Sequence, residues 1–160
     1  MIVDFSELPS TSKVWIFQSN RSLNDEELES IQHKLADFLS QWTAHGADLK
    51  AGFEFRYKRF IIVALDQQQN KATGCSIDAL IHFVQALETT LSIDLLDKMN
   101  VSYKQGEFIA YKNLVDFKTM AKKRSVSPKT IVFNNLVDDK AEYLENWEIP
   151  ASESWHARFF

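Results

Sequence analysis

The chain holds a single cysteine, Cys75, in the string GCSID, and a histidine, His45, in the string TAHG. A thiol becomes a nucleophile when an imidazole within hydrogen-bond reach takes its proton and a third polar group orients that imidazole, here Asp48 or Asp78. Cys75 falls just before a helix start expected at Ser76, where unpaired N–H groups and the helix dipole favour a thiolate. Asp78, in the first turn, opposes this, because its charge disfavours a second anion nearby. Cys75, His45 and Asp78 are therefore the candidate catalytic residues, and Gly46, Gly74 and Ser76 the candidate ligand-binding ones, with the helix-start N–H groups facing a small anion. The commonplace alternative is structural: free cysteine usually packs as a small hydrophobe, and a loop histidine often bonds its own turn.

These residues lie far apart in sequence, so strand pairing must bring them together. From Ala51 to Asp66 apolar residues alternate (Phe53, Phe55, Tyr57) and then run on as RFIIVALD, which predicts two strands joined by a tight turn at Tyr57-Lys58-Arg59. If the strands are antiparallel neighbours, the loop entering the first and the loop leaving the second share one end of the sheet. That places TAHG near GCSID.

The remaining elements follow from period and punctuation. KVWIFQ (13–18) is a first strand. Asn24 followed by Asp25, Glu26 and Glu27 is a helix start with a capping box, and Leu28, Ile31, Leu35, Phe38, Leu39 and Trp42 form one helical stripe. His33 falls on the solvated face. From Ser76 a second stripe runs through Ile77, Leu80, Ile81, Val84, Leu87 and Leu91. A second hairpin turns at Lys104-Gln105-Gly106-Glu107, Asn113 caps a helix reaching Lys123, and Pro128 precedes a strand in TIVFNN. The first six elements, β-α-β-β-α-β, predict a ferredoxin-like two-layer α+β sandwich, an antiparallel sheet covered by helices. A C-terminal β-α-β extension and an aromatic tail follow. No linker or repeat divides the chain, which predicts a single α+β domain over 1–160.

Other patterns are weaker. Asp78 and His82 are four apart on one helix, but no further ligand follows at metal spacing, so a surface charge pair is expected. There is no HExxH, no paired-cysteine pattern, no GxSxG and no Gly-Lys-Ser/Thr loop, and no metal or cofactor is implied. The basic groups Arg56-Lys58-Arg59 and Lys122-Lys123-Arg124 are short, the second complementing a helix C-terminus. With net charge −4, from 18 basic and 22 acidic residues, nucleic acid is not expected as a partner. Trp147, Trp155, Phe159 and Phe160 crowd the tail and must be buried, against the parent domain, in a homodimer contact or against another protein. No apolar run reaches the ~18 residues of a membrane span. The start, MIVDFSELPSTS, carries Asp4 and Glu7 where a signal peptide needs a basic stretch and then an apolar run. With one cysteine and no internal disulfide, the expected location is the cytoplasm.

At TAHG, GCSID, VWIFQSNRSL, SVSPKTIVFNNLV and ESWHARFF, the chain resembles a family of uncharacterised bacterial proteins often labelled "ABC transporter ATPase", over nearly its whole length. The label implies a Walker motif that is absent here, so ATP hydrolysis is carried over to no residue. The resemblance implies a free-standing cytoplasmic protein. The function expected from the residues is a small-ligand or protein binding or regulatory module with its site near the TAHG and GCSID loops. The alternatives are a thiol-dependent enzyme using Cys75 with His45, and an oligomeric structural or interaction protein.

Overall fold

A computed structural model describes all residues, 1–160, and its contacts divide the chain into two compact units, Met1–Leu96 with Asp138–Ala141, and Asp97–Val137 with Glu142–Phe160. The α+β class holds: four α-helices accompany antiparallel sheets. No helix is long and apolar enough to cross a membrane.

In the first unit, strands β1 (Lys13–Gln18), β4 (Lys50–Arg56) and β5 (Phe60–Asp66) form a three-stranded sheet in the order β1-β5-β4. A small hairpin, β2 (Thr43–Ala44) with β3 (Ala47–Asp48), precedes β4. Every residue of β5 is buried, as a central strand covered on both faces requires. Helix α1 (Asp25–Ser40) begins at the expected cap: Asn24 Oδ1 accepts the Glu27 N–H (2.8 Å), while Glu27 Oε1 accepts the Asn24 N–H (3.0 Å). Helix α2 spans Gly74–Leu91. Ile31, Leu35 and Leu39 of α1 and Leu80, Val84 and Leu87 of α2 bury their stripes on Phe17, Ala51, Ile61, Val63 and Leu65 of the sheet. Each such aliphatic side chain contributes about 1.5–3 kcal/mol by leaving water.

Five of the six ferredoxin-like elements thus stand in order, with β5 between β1 and β4. The sixth does not join β1. Its strand pairs elsewhere, and the start of the outer edge of β1 meets a distant segment: the Val14 N–H donates to the Asp138 carbonyl (2.9 Å), and Lys13 bridges Asp139. The opposite edge, on β4, carries Ile2 in a parallel bridge to Ala51, and the Val3 N–H donates to the Ala51 carbonyl (2.9 Å). Gly52 permits this approach, since a Cβ there would lie 2.6 Å from the Val3 carbonyl oxygen. The buried ammonium of Lys140 donates to the carbonyls of Phe5 (2.9 Å) and Leu8 (2.8 Å), fixing the 3₁₀ turn Phe5–Glu7.

In the second unit, β6 (Asn100–Gln105), β7 (Phe108–Asn113), β8 (Ile131–Phe133) and β9 (Glu148–Pro150) form a sheet in the order β7-β6-β8-β9. Helix α3 (Leu114–Lys122) is capped by Asn113, as expected, and α4 (Lys140–Asn146) starts in the first unit and ends in the second. Trp147 is buried against Phe133 and Tyr143, its indole N–H on Asn135 Oδ1 (2.9 Å). The tail, two 3₁₀ turns at Ala151–Glu153 and Trp155–Phe159, packs Trp155 and Phe159 on the core built by Val101, Tyr103, Phe117 and Val132, whereas Phe160, expected to be buried, ends the chain 43% exposed.

Candidate thiol and imidazole cleft

The register of β4 and β5 pairs Lys50 with Asp66, so the chain entering β4 and the chain leaving β5 do meet at one end of the sheet. The entering chain is the β2–β3 hairpin, whose two turn residues, His45 (φ 52°) and Gly46 (φ 78°), are both left-handed, as a two-residue type I′ turn demands. Glycine adopts that conformation freely, and histidine is among the few other residues enriched there. The leaving chain is tied to the same hairpin, the Asn70 amide donating to the Asp48 carbonyl (3.0 Å).

Helix α2 then starts at Gly74, two residues earlier than its apolar stripe suggests. Thr73 is the cap: its Oγ1 accepts the Ser76 N–H (3.2 Å), and Ser76 Oγ accepts the Thr73 N–H (2.7 Å) and donates to the Thr73 carbonyl (2.9 Å). The Ser76 hydroxyl is therefore engaged by the cap. The Ile77 N–H goes to the Thr73 carbonyl, so the first-turn donors that the helix itself does not bond are those of Gly74 and Cys75. Cys75 occupies the second helical position and is exposed, so the packed-cysteine reading does not describe it.

His45 and Cys75 line one cleft of about 470 Å³. Its floor is aromatic, from Phe38 and Trp42, and Ser76 and Ala79 complete the α2 side. Trp42 is fixed on three sides: its indole N–H donates to the Ser76 carbonyl (2.8 Å), Trp15 meets it edge-on (5.7 Å between centroids), and Phe38 tilts against it (5.9 Å). No hydrogen bond joins the imidazole to the thiol. Of the other residues singled out in the sequence, Gly46, Gly74, Asp48 and Asp78 are not part of the lining, and Asp78 is exposed on α2. Asp78 and His82 gather no third ligand, and no group of three or more His, Cys, Asp or Glu side chains could hold a metal ion.

Periodicity places Phe38 and Trp42 on one helical stripe, but α1 ends at Ser40, so Trp42 lies beyond the helix, and both side chains line the cleft. The signal available was position: Trp42 ends the stripe directly before TAHG. The basic turn at Arg56-Lys58-Arg59 has partners, Lys58 on Asp25 (3.0 Å) and Arg56 near Glu54 (3.9 Å).

Compared with known proteins, the chain matches no family model, no curated protein and no solved structure.

Proposed function

We propose that the protein is a cytoplasmic binding or regulatory module that takes a small ligand in the cleft between the β2–β3 hairpin and the start of α2. The observation that carries this reading is the shared lining: an exposed thiol and an imidazole over an aromatic floor of Phe38 and Trp42. An apolar floor with a few convergent polar groups is the usual build of a small-molecule site. The N–H of Cys75, which the helix itself does not bond, suits an anionic group on that ligand. Kinship with the "ABC transporter ATPase"-labelled family belongs to the same proposal and adds no ATP chemistry to it.

A thiol-dependent enzyme is the second reading, favoured by the exposure of Cys75 at a helix start. One experiment addresses both. Backbone amide resonances are followed while inorganic phosphate, then acetate, is titrated in, and the rate of Cys75 alkylation by iodoacetamide is measured with and without each anion. Binding is expected to shift Gly74 and Cys75 and to slow alkylation. Absence of both effects defeats the anion-binding reading. For the enzyme reading, the pH profile of alkylation should move in His45→Ala; an unchanged profile removes His45 as the base.

A further inference from the structure

The C-terminal tail of the second unit holds a histidine that neither reading of the cleft uses. His156 is 1% exposed, the most buried residue of the last 3₁₀ turn, and its Nδ1 lies 2.7 Å from the hydroxyl of the buried Ser154. Its ring stacks on Trp155 (3.8 Å between centroids) and meets Phe117 of α3 edge-on (5.9 Å). Phe117 also receives Phe159 (5.9 Å) and Phe160 (6.3 Å).

The manner of attachment is unusual. The start of the tail is tied by its backbone, the N–H groups of Ala151 and Ser152 donating to the carbonyls of Thr130 and Pro128. From Ser154 onward the main chain bonds only within the tail: the Ser154 N–H to the Ala151 carbonyl, Ala157 to Ser154, and Phe160 to Ala157. The Ser154–His156 bond is internal as well. The last turn is therefore held to its unit by ring contacts alone, and the one fully buried ring among them, His156, can acquire a charge.

We propose that Ser154–Phe160 is an acid-released clasp: protonation of His156 places an unpaired cation among aromatic rings and lifts the last turn off Phe117 while the strands beneath stay paired. The stacked Trp155 face offsets that charge only in part, and no carboxylate pairs with the ring. Arg158, the nearest cation on the same turn, lies over the Trp155 ring (5.8 Å) and is of the wrong sign. Glu153, Asp116 and Lys118 are exposed, and Tyr103 of β6, which packs on Phe117, sends its hydroxyl to Met120 Sδ (3.8 Å). Burial alone lowers His156 from its ordinary 6.5 to about 4.

The direction follows from proton linkage. The released turn binds a proton near pH 6.5 and the docked turn only near 4, so docking is strongest above 6.5 and weakens about tenfold per pH unit between them, roughly 300-fold in all. The test is amide hydrogen exchange of the full chain between pH 7 and 4, corrected for the intrinsic rate. Protection of the Ala157 and Phe160 amides should fall about tenfold per unit below pH 6.5, while β6 and β8 amides hold theirs. In His156→Gln, which cannot charge, tail protection should be flat across the range. A wild-type tail whose protection is independent of pH overturns the proposal, as does a loss shared equally by β6 and β8, or a pH dependence that persists in the variant. Should the variant fail to dock at pH 7, the imidazole is titrated by NMR in the wild type, where a midpoint at 6.5 with the tail docked refutes the clasp and a lower one sustains it.

Discussion

The indole N–H of Trp42 donates to the main-chain carbonyl of Ser76 across 2.8 Å, joining the segment just past the end of α1 to the first turn of α2. Both lie on the cleft lining. This bond sets the distance between the aromatic floor and Cys75, so the geometry of the site depends on a contact that involves neither the thiol nor the imidazole.

Replacing Trp42 by Phe keeps an aromatic ring but removes the indole donor, while the Ser76 carbonyl keeps its intrahelical partner in α2. The lost hydrogen bond costs about 0.5–1.5 kcal/mol, and the smaller ring adds the cost of a gap in the core. The thermal midpoint should fall by several degrees, as about 2 kcal/mol does in a chain of this size. An unchanged midpoint would mean that the helix start is held by its cap alone.

Cys75 is exposed, so iodoacetamide should label it in the native protein at a rate of the same order as in the unfolded chain. Labelling seen only after denaturation would restore the packed-cysteine reading.

Glycines at two positions should respond oppositely to alanine. At Gly52 the new methyl would sit 2.6 Å from the Val3 carbonyl oxygen and 3.2 Å from the Phe5 nitrogen, both main-chain atoms. Overpacking of this kind costs about 1–3 kcal/mol and should lower the urea midpoint. At Gly74 nothing lies within 4 Å, and alanine at the first helical position should leave the midpoint unchanged or raise it by up to about 1 kcal/mol of stability.

Glu27 accepts two hydrogen bonds from Arg21 (2.9 and 2.7 Å) and the Asn24 N–H, which hold its carboxyl at about 2 instead of 4.5. A depressed carboxyl contributes stability that is complete above 4.5 and lost as pH falls towards 2. Acid unfolding of Glu27→Gln should accordingly be less steep below pH 4.5, and identical slopes for variant and wild type would contradict this.

Local signals in the sequence were reliable. The strand Lys13–Gln18, the Asn24 and Asn113 caps and the β4–β5 turn all stand where composition and period place them, because each is decided by neighbouring residues. The approach of TAHG to GCSID was legible too, since antiparallel pairing of adjacent strands fixes which loops share an end. Three features were not. The His45-Gly46 turn lacks the Asn-Gly or Asp-Gly pair that usually marks a type I′ hairpin, so β2 and β3 read as a loop. Ser76 completes the Thr73 cap in place of the usual Glu or Gln, which hid the true start of α2 and put Cys75 outside the helix. The fate of β1's outer edge rests on pairing with residues more than a hundred positions away, and nothing in KVWIFQ states whether a fourth strand or Asp138–Asp139 will take it.

That edge also bears on the order in which the chain can be made. The first unit is interrupted in sequence, its strands complete by Asp66 but its closing residues, Asp138–Ala141, separated from Leu96 by a stretch of the second unit. During synthesis from the N-terminus, β1 would therefore present bare N–H and carbonyl groups until those residues leave the ribosome. Nascent chains stalled between Leu96 and Val137 should be the species most prone to associate through that strand, and most in need of a chaperone, because in the finished protein Asp138 and Asp139 cover its start.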